Sequence, residues 1–281
     1  MLTPQNHSRD SAGLAYVYPV ISRRSGGLSI GINLNPNNAC NWRCVYCQVP
    51  NLRRGGAPET DLDVLRAELS GFLESVLRGD FYDRFEVAPE QRVIRDIAIS
   101  GNGEPTSAPT FDRVVGLIGE VCQTFDLGEQ IKRVLITNGS LVRHKVVQQG
   151  LRRWSDLGGE VWFKLDSATK EGILRVNGVN LAPESVLKNL EAAARLCPTW
   201  IQTCLFGYDG LPPSSFERQV YLDLMAEAQR RQIPLLGVLL YGLARPSMQT
   251  EAPRLSMLSH EWMRAFAEEV SAQGLEVMLN P

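Results

Sequence analysis

The sequence predicts an α/β fold, a partial or nearly complete TIM-like (β/α) barrel, and three observations carry that reading. Apolar segments of five to seven residues alternate with longer stretches of helical period from Leu28 to the end of the 281-residue chain. Strands separated by helices in a repeating order have to pair in parallel through right-handed crossovers. The residues least expected in an apolar core are Cys40 to Cys47, Gly101 to Glu104, Asn138, Asp166 and Tyr241, and each group follows the C-terminal end of an expected strand. That is the face on which barrel enzymes build their sites. An open doubly wound sheet, with a local strand order of 2-1-3, is the competing arrangement.

Residues 1–27 are rich in Ser, Gly and Arg without a sustained period and read as an irregular N-terminal leader, within which Tyr16 to Val20 could add a short strand. Residues 28–281 form the barrel domain. Leu28 to Leu34 alternates as a half-buried strand does. Thr60 is placed to cap the first helix, with Asp61 and Asp63 in the favourable first turn and Leu62, Leu65, Leu69, Leu73 and Val76 at helical spacing. Further strands are expected at Val93–Ile99, Arg133–Thr137, Glu160–Leu165, Trp200–Phe206 and Pro234–Leu240, with Leu275–Leu279 as a short C-terminal extension. Helices are expected at Thr110–Phe125, in a stretch ending near Trp154, and at Glu184–Leu196, Phe216–Arg231 and His260–Gln273, the last capped by Ser259. Leu243 to Leu258 is a long connection with two prolines and no period, and loops of that length inside a compact domain tend to be functional or disordered.

The chain is 44% hydrophobic, enough to bury one barrel-sized core, and its formal net charge is −2. The charge is uneven: Met1 to Pro58 holds six arginines against one acid, a local +5, so the remainder carries −7. A basic segment there suits an anionic substrate, although solvated arginines are the commoner explanation. No apolar run is long enough to span a membrane and the N-terminus lacks the order of a signal peptide, so a cytosolic, cytoplasmic protein is expected.

Chemistry concentrates in PNNACNWRCVYCQVP, Pro36 to Pro50, which holds Cys40, Cys44 and Cys47. Thiolates this close in sequence can reach a common soft metal centre at little loop-closure cost. A four-iron cluster normally takes one cysteine per iron, so three leave one iron with an open position, as catalytic metal sites have and structural ones lack. A zinc knuckle needs a nearby fourth ligand, and His7, His144 and His260 are all far off in sequence. A disulfide framework does not suit a chain of this length with six cysteines and no signal peptide. Cys122, Cys197 and Cys204 are isolated and read as buried structural thiols.

CNWRCVYC resembles the CX3CX2C signature of the radical S-adenosylmethionine (radical SAM) superfamily, including an aromatic, Tyr46, before the last cysteine. The resemblance implies that Cys40, Cys44 and Cys47 hold an oxygen-sensitive 4Fe-4S cluster whose free iron chelates the amino and carboxylate groups of S-adenosylmethionine (SAM). One electron, from a donor such as flavodoxin or ferredoxin, then cleaves SAM to a 5′-deoxyadenosyl radical. It implies a partial (β/α)6 barrel as well. The turn Gly101-Asn102-Gly103-Glu104 is similar to the superfamily's GGE motif, which binds the amino group of SAM; Asn102 stands where many members have Gly. Read from the residues alone, its glycines let backbone pass close to a ligand or simply make a tight turn. Asn138 and Asp166 have short polar side chains suited to ribose hydroxyls, or to turn chemistry. Tyr46 is expected near the adenine, with Gln202 and Arg175 as further cofactor candidates. Arg23, Arg24, Tyr241 and Arg245 are the candidates for the substrate.

SRRSGGLSIGINLNPNNACNWRCVYCQ together with ISGNGEPT resembles a subgroup of radical SAM proteins grouped with the tRNA wyosine-base synthases. Those tRNA enzymes hold a further cluster on cysteines upstream of the motif, and this chain has no cysteine before Cys40. The expected activity is therefore hydrogen abstraction from an unidentified small-molecule or peptide substrate carrying an anionic group. Modification of a tRNA base is the alternative branch, and a basic surface large enough for a polyanion is not evident. A reading of another class, an iron–sulfur or zinc module without chemistry of its own, requires a fourth protein ligand.

Overall fold

The computed structural model describes residues 12–22 and 26–281. Arg23 and Arg24 lie outside the described residues. One eight-stranded sheet organises the chain. Its strands are β1 (Val17–Ser22), β2 (Gly27–Ile32), β3 (Ile94–Ile99), β4 (Lys132–Thr137), β5 (Gly159–Lys164), β6 (Thr199–Leu205), β7 (Leu235–Gly242) and β8 (Val277–Asn280). They lie side by side in sequence order; β1 runs antiparallel to β2 and every later pair is parallel. A doubly wound sheet reverses direction partway along its strand order, and this one never does. Consecutive right-handed crossovers then put every helix on one face and leave the other concave. The result is an open, curled half-barrel, the partial barrel expected from the sequence. The segment Tyr16 to Val20 is realised as the sheet's edge strand β1.

Eight helices are described: α1 (Leu62–Arg78), α2 (Phe81–Arg84), α3 (Phe111–Thr124), α4 (Lys145–Asp156), α5 (Lys170–Asn177), α6 (Pro183–Ala194), α7 (Ser215–Arg230) and α8 (His260–Ser271). The first is capped by Asp61, not Thr60: the Asp61 carboxylate accepts from the N–H groups of Asp63 and Val64. An aspartate can serve two amide donors and adds charge at the dipole's positive end. Along α1, Leu65, Leu69, Phe72, Leu73 and Val76 are buried, each stabilising the fold by about 1.5–3 kcal/mol through the apolar surface removed from water. Helices α2 and α5 were not expected from the sequence.

Alternation along the strands divides the residues between the two faces. Ile97, Ile99, Leu135, Val161, Phe163 and Ile201 are fully buried in the main core. Their neighbours Ala98, Ser100, Ile136, Trp162 and Lys164 line the concave cavity. Tyr241, expected just past a strand, belongs to β7 itself and lines the same cavity. Among the described residues, no helix is long and apolar enough to cross a membrane.

Candidate active site

The cysteine loop is built on a turn that side-chain amides hold together. Asn33 Oδ1 accepts from the N–H of Asn35 and from that of Asn102, tying the end of β2 to the turn after β3. Asn35 Nδ2 donates to Ala39 O at 2.8 Å, and Asn102 Nδ2 donates to Asn38 Oδ1 at 2.7 Å. The glycines of the GNGE turn follow from this packing. A Cβ on Gly103 would lie 2.0 Å from Ala39 O, and one on Gly101 2.3 Å from Asn33 Oδ1. Their bareness thus accommodates the protein's own cysteine loop, a partner that the sequence alone did not identify.

From the other side, the loop rests on the end of α5: Arg43 N–H donates to Asn177 O and Val45 N–H to Val176 O. The three thiols are partly exposed. Cys40 Sγ accepts from Trp42 N–H and Cys44 Sγ from Asn177 Nδ2, each at 3.4 Å; such donors are among the groups that set the electronics of a sulfur-ligated centre. Burial pushes the Cys40 and Cys44 thiols up to about 12. Bound metal is what would draw those protons off.

The connection after β7 closes over the loop as a strap. Ser247 Oγ donates to Val45 O at 2.6 Å, Met248 N–H to Cys47 O at 2.9 Å, and Gln249 Nε2 to Val49 O at 3.0 Å. Arg43 grips Glu251 at two points, at 2.8 and 3.1 Å. Bidentate pairing of this kind is the stronger form of the interaction, yet Arg43 is 39% exposed, so the pair stabilises by only about 0.5–1 kcal/mol. The guanidinium's hydrogen bonds hold the Glu251 pKa below 4.5. A depressed acid stabilises the fold above its unfolded value, so the clasp is complete above pH 4.5 and is lost as pH falls through the lower, folded value. Glu251→Ala is expected to lower the melting temperature by roughly 1–3 °C at pH 7 and to leave it unchanged well below pH 4, as thermal denaturation at the two pH values would show.

Cys40, Cys44, Cys47, the GNGE turn, Tyr46, Asn138, Tyr241 and Arg245 all line one cavity of about 570 Å³. Glu104 is 2% exposed on its wall. Its Oε1 accepts from Thr106 N–H, Thr106 Oγ1 and Thr137 Oγ1, and its Oε2 from Asn138 N–H. Oε1 is crowded by three donors, whereas Oε2 accepts a single one and is the oxygen with room for a further donor. Burial raises the Glu104 pKa, with the Thr106, Thr137 and Asn138 donors pulling it partly back. Asn138 Oδ1 is taken by Ser140 and its Nδ2 by Asn41.

Three sequence candidates are placed differently from the others. The Asp166 side chain is fully buried; it accepts from Tyr46 OH at 2.5 Å, Asn177 Nδ2 at 2.8 Å and Cys204 N–H at 3.0 Å. It therefore fixes the Tyr46 ring and does not line the main cavity. Gln202 is 3% exposed within β6 and is not part of the cavity wall. Arg175 faces a second hollow, where it pairs with Glu217 and stacks on Tyr208. Lys164, which sequence reasoning passed over, does enter the main cavity: its Nζ donates to Tyr241 OH at 2.8 Å and lies 5.0 Å from the centre of the Tyr46 ring.

Cys122, Cys197 and Cys204 are buried. Replacing any of them with alanine is expected to leave the bound-iron content unchanged, as iron analysis of anaerobically purified variants would show.

An open half-barrel with three cysteines at the C-terminal mouth of its strands, facing a cavity beside a glycine-flanked glutamate, is the arrangement that the sequence resemblance implied. Residues 34–225 match the family model described as the radical SAM superfamily, and the chain belongs to that superfamily. It is 31% identical over 161 residues, 57% of its length, to a UPF0026 protein of Helicobacter pylori (strain ATCC 700392 / 26695), of which it covers 44%. The chain spans less than half the length of the curated relatives it matches. Its fold is similar to that of TYW1 with a lysine-pyruvate adduct bound, with a TM-score of 0.56 and 18% identity over 87% of this chain and 73% of that one. It is similar also to Streptococcus suis SuiB bound to S-adenosylmethionine, with a TM-score of 0.53 and 13% identity over 92% of this chain and 49% of that one. Identities this low speak for the fold alone. Membership places the chain in a superfamily of SAM-dependent radical enzymes, which speaks against the reading as a module without chemistry.

Proposed function

We propose that Cys40, Cys44 and Cys47 hold a 4Fe-4S cluster, that SAM lies in the adjoining cavity, and that a hydrogen is taken there from a small-molecule or peptide substrate bearing an anionic group. The observation that carries this reading is the shared cavity: all three thiols, Glu104 and Asn138 line it, and its volume falls in the range of small-ligand sites. The residues fit the cluster. Three cysteine thiols, the ligand type that iron–sulfur clusters take, open on the same cavity.

When bound, the cluster and SAM supply the hard chemistry; the chain's part is to orient and to exclude. Glu104 Oε2 is the oxygen with room for the donor of an ammonium. Tyr46, locked through Asp166, gives an aromatic wall beside Phe206, their ring centres 5.6 Å apart. The strap fastens the backbone of the cysteine loop and so fixes where its thiols stand. Gly101, Asn102 and Gly103 shape the floor, Asp166 acts through Tyr46, and Gln202 supports β6 from within the sheet. Arg245 and Tyr241 remain candidates for the substrate, as do Arg23 and Arg24 from sequence. The likeness to TYW1 extends no further than the fold and says nothing of a tRNA substrate. Anaerobically reconstituted protein, reduced chemically in the presence of SAM, should release 5′-deoxyadenosine; absence of both a cluster and SAM cleavage would overturn the reading.

A further inference from the structure

Asn177 places an amide between a cysteine sulfur and a buried carboxylate. It is the last residue of α5 and is 2% exposed. Its Nδ2 donates to Cys44 Sγ at 3.4 Å and to Asp166 Oδ2 at 2.8 Å. An amide nitrogen carries two protons, so each acceptor takes one. The position of the residue is fixed by backbone. Val176 O accepts from Val45 N–H, Asn177 O from Arg43 N–H, and Gly178 O from the Arg54 guanidinium. The carbonyls at a helix end have no intrahelical donor, and the cysteine loop supplies donors to them here. Gly178 closes the helix at a φ of 66°, and a Cβ there would lie 2.8 Å from Arg43 O, so the approach is close. Asp166 does not hang on Asn177, because Tyr46 OH and Cys204 N–H serve it as well. What the side-chain amide adds to this docking is a proton aimed at the sulfur, standing between it and an anion.

We propose that Asn177 sets the reduction potential of the cluster, raising it through the N–H···S bond to Cys44. The proposal rests on the reading of Cys44 as a cluster ligand. Reduction adds one electron, from an external reductant, and makes the sulfurs more negative with no bond made or broken in the chain. A donor on one sulfur therefore stabilises the reduced form more than the oxidised one. Without the amide, Cys44 faces the Asp166 carboxylate, and a like charge opposes reduction. The Asp166 side chain is fully buried, and withdrawal from water strengthens both effects. They have the same sign: loss of the amide lowers the potential through each of them.

The test uses the full chain, reconstituted anaerobically without SAM and poised with dithionite and redox mediators, the reduced cluster being read by electron paramagnetic resonance. Asn177→Leu keeps the size of the side chain and the backbone acceptor but has no side-chain N–H. It should bind about four iron atoms per chain, as the wild type should. Its reduction equilibrium should move about tenfold toward the oxidised form, a midpoint about 59 mV more negative for a one-electron couple. Glu251→Ala is the control, since it frees Arg43 from the strap and leaves the amide in place. Its equilibrium constant should stay within about twofold of the wild type. An unchanged or more positive midpoint in Asn177→Leu overturns the proposal. So does an equal negative shift in Glu251→Ala, which would assign the effect to a loosened loop, or loss of iron from a folded Asn177→Leu, which would make the residue a brace. If Asn177→Leu does not fold, Asn177→Ala decides: a negative shift with iron retained supports the tuning, and any other result overturns it. Failure of the underlying reading is separable, because it appears as wild-type protein that takes up no cluster.

Discussion

Replacing Cys40, Cys44 or Cys47 with alanine is expected to bring bound iron from about four atoms per chain to near zero and to abolish the visible absorption of the reconstituted protein. Each thiol serves a separate iron, so two remaining cysteines cannot hold the same cluster. The fold should survive, because all three side chains are partly exposed at the rim and the loop's backbone is held independently by Asn177 O, Val176 O and the strap. Iron analysis paired with far-ultraviolet circular dichroism separates the two effects. A variant that keeps its iron, or stoichiometric zinc in protein purified without oxygen, would remove the cluster from these residues.

The second large effect belongs to Glu104. Alanine there strands the donors of Thr106, Thr137 and Asn138, so Glu104→Ala should cost about 2–4 kcal/mol of stability besides any loss of SAM. Glutamine separates the two roles. Its oxygen can keep the three bonds now made to Oε1, while its NH2 must face Asn138 N–H, one donor against another. The fold should be mildly weakened, and SAM affinity should fall roughly ten- to a hundredfold through loss of the charge-assisted bond. Calorimetric titration with SAM checks this; unchanged affinity in a folded Gln variant would leave Glu104 as a brace only.

The barrel and the cysteine loop were legible because period-two apolar segments and a short cysteine spacing are local signals. What was missed depends on pairs far apart in sequence. Lys164, two residues before Asp166, looks like a solvated strand end; its burial is decided by Tyr46 and Tyr241 arriving from elsewhere. Asp166 sits in a turn-like Asp-Ser pair, yet its partners are a phenol 120 residues earlier and the backbone of Cys204. The unexpected α5 is short, and its Asn177 matters through what it gives the loop: a backbone acceptor for Arg43 and a donor for Cys44. The long connection after β7 could be recognised as unusual, but nothing in it named the cysteine loop as its target.

That strap has a consequence in time. Ser247 and Gln249 bond to loop residues some 200 positions earlier in the chain, so a ribosome working at about 5–20 residues per second makes the cysteines roughly 10–40 s before the segment that fastens them. Throughout that interval the three thiols are presented on an unfastened loop. The loop that carries the thiols is thus complete in sequence well before Ser247, Gln249 and Glu251 exist to fasten it.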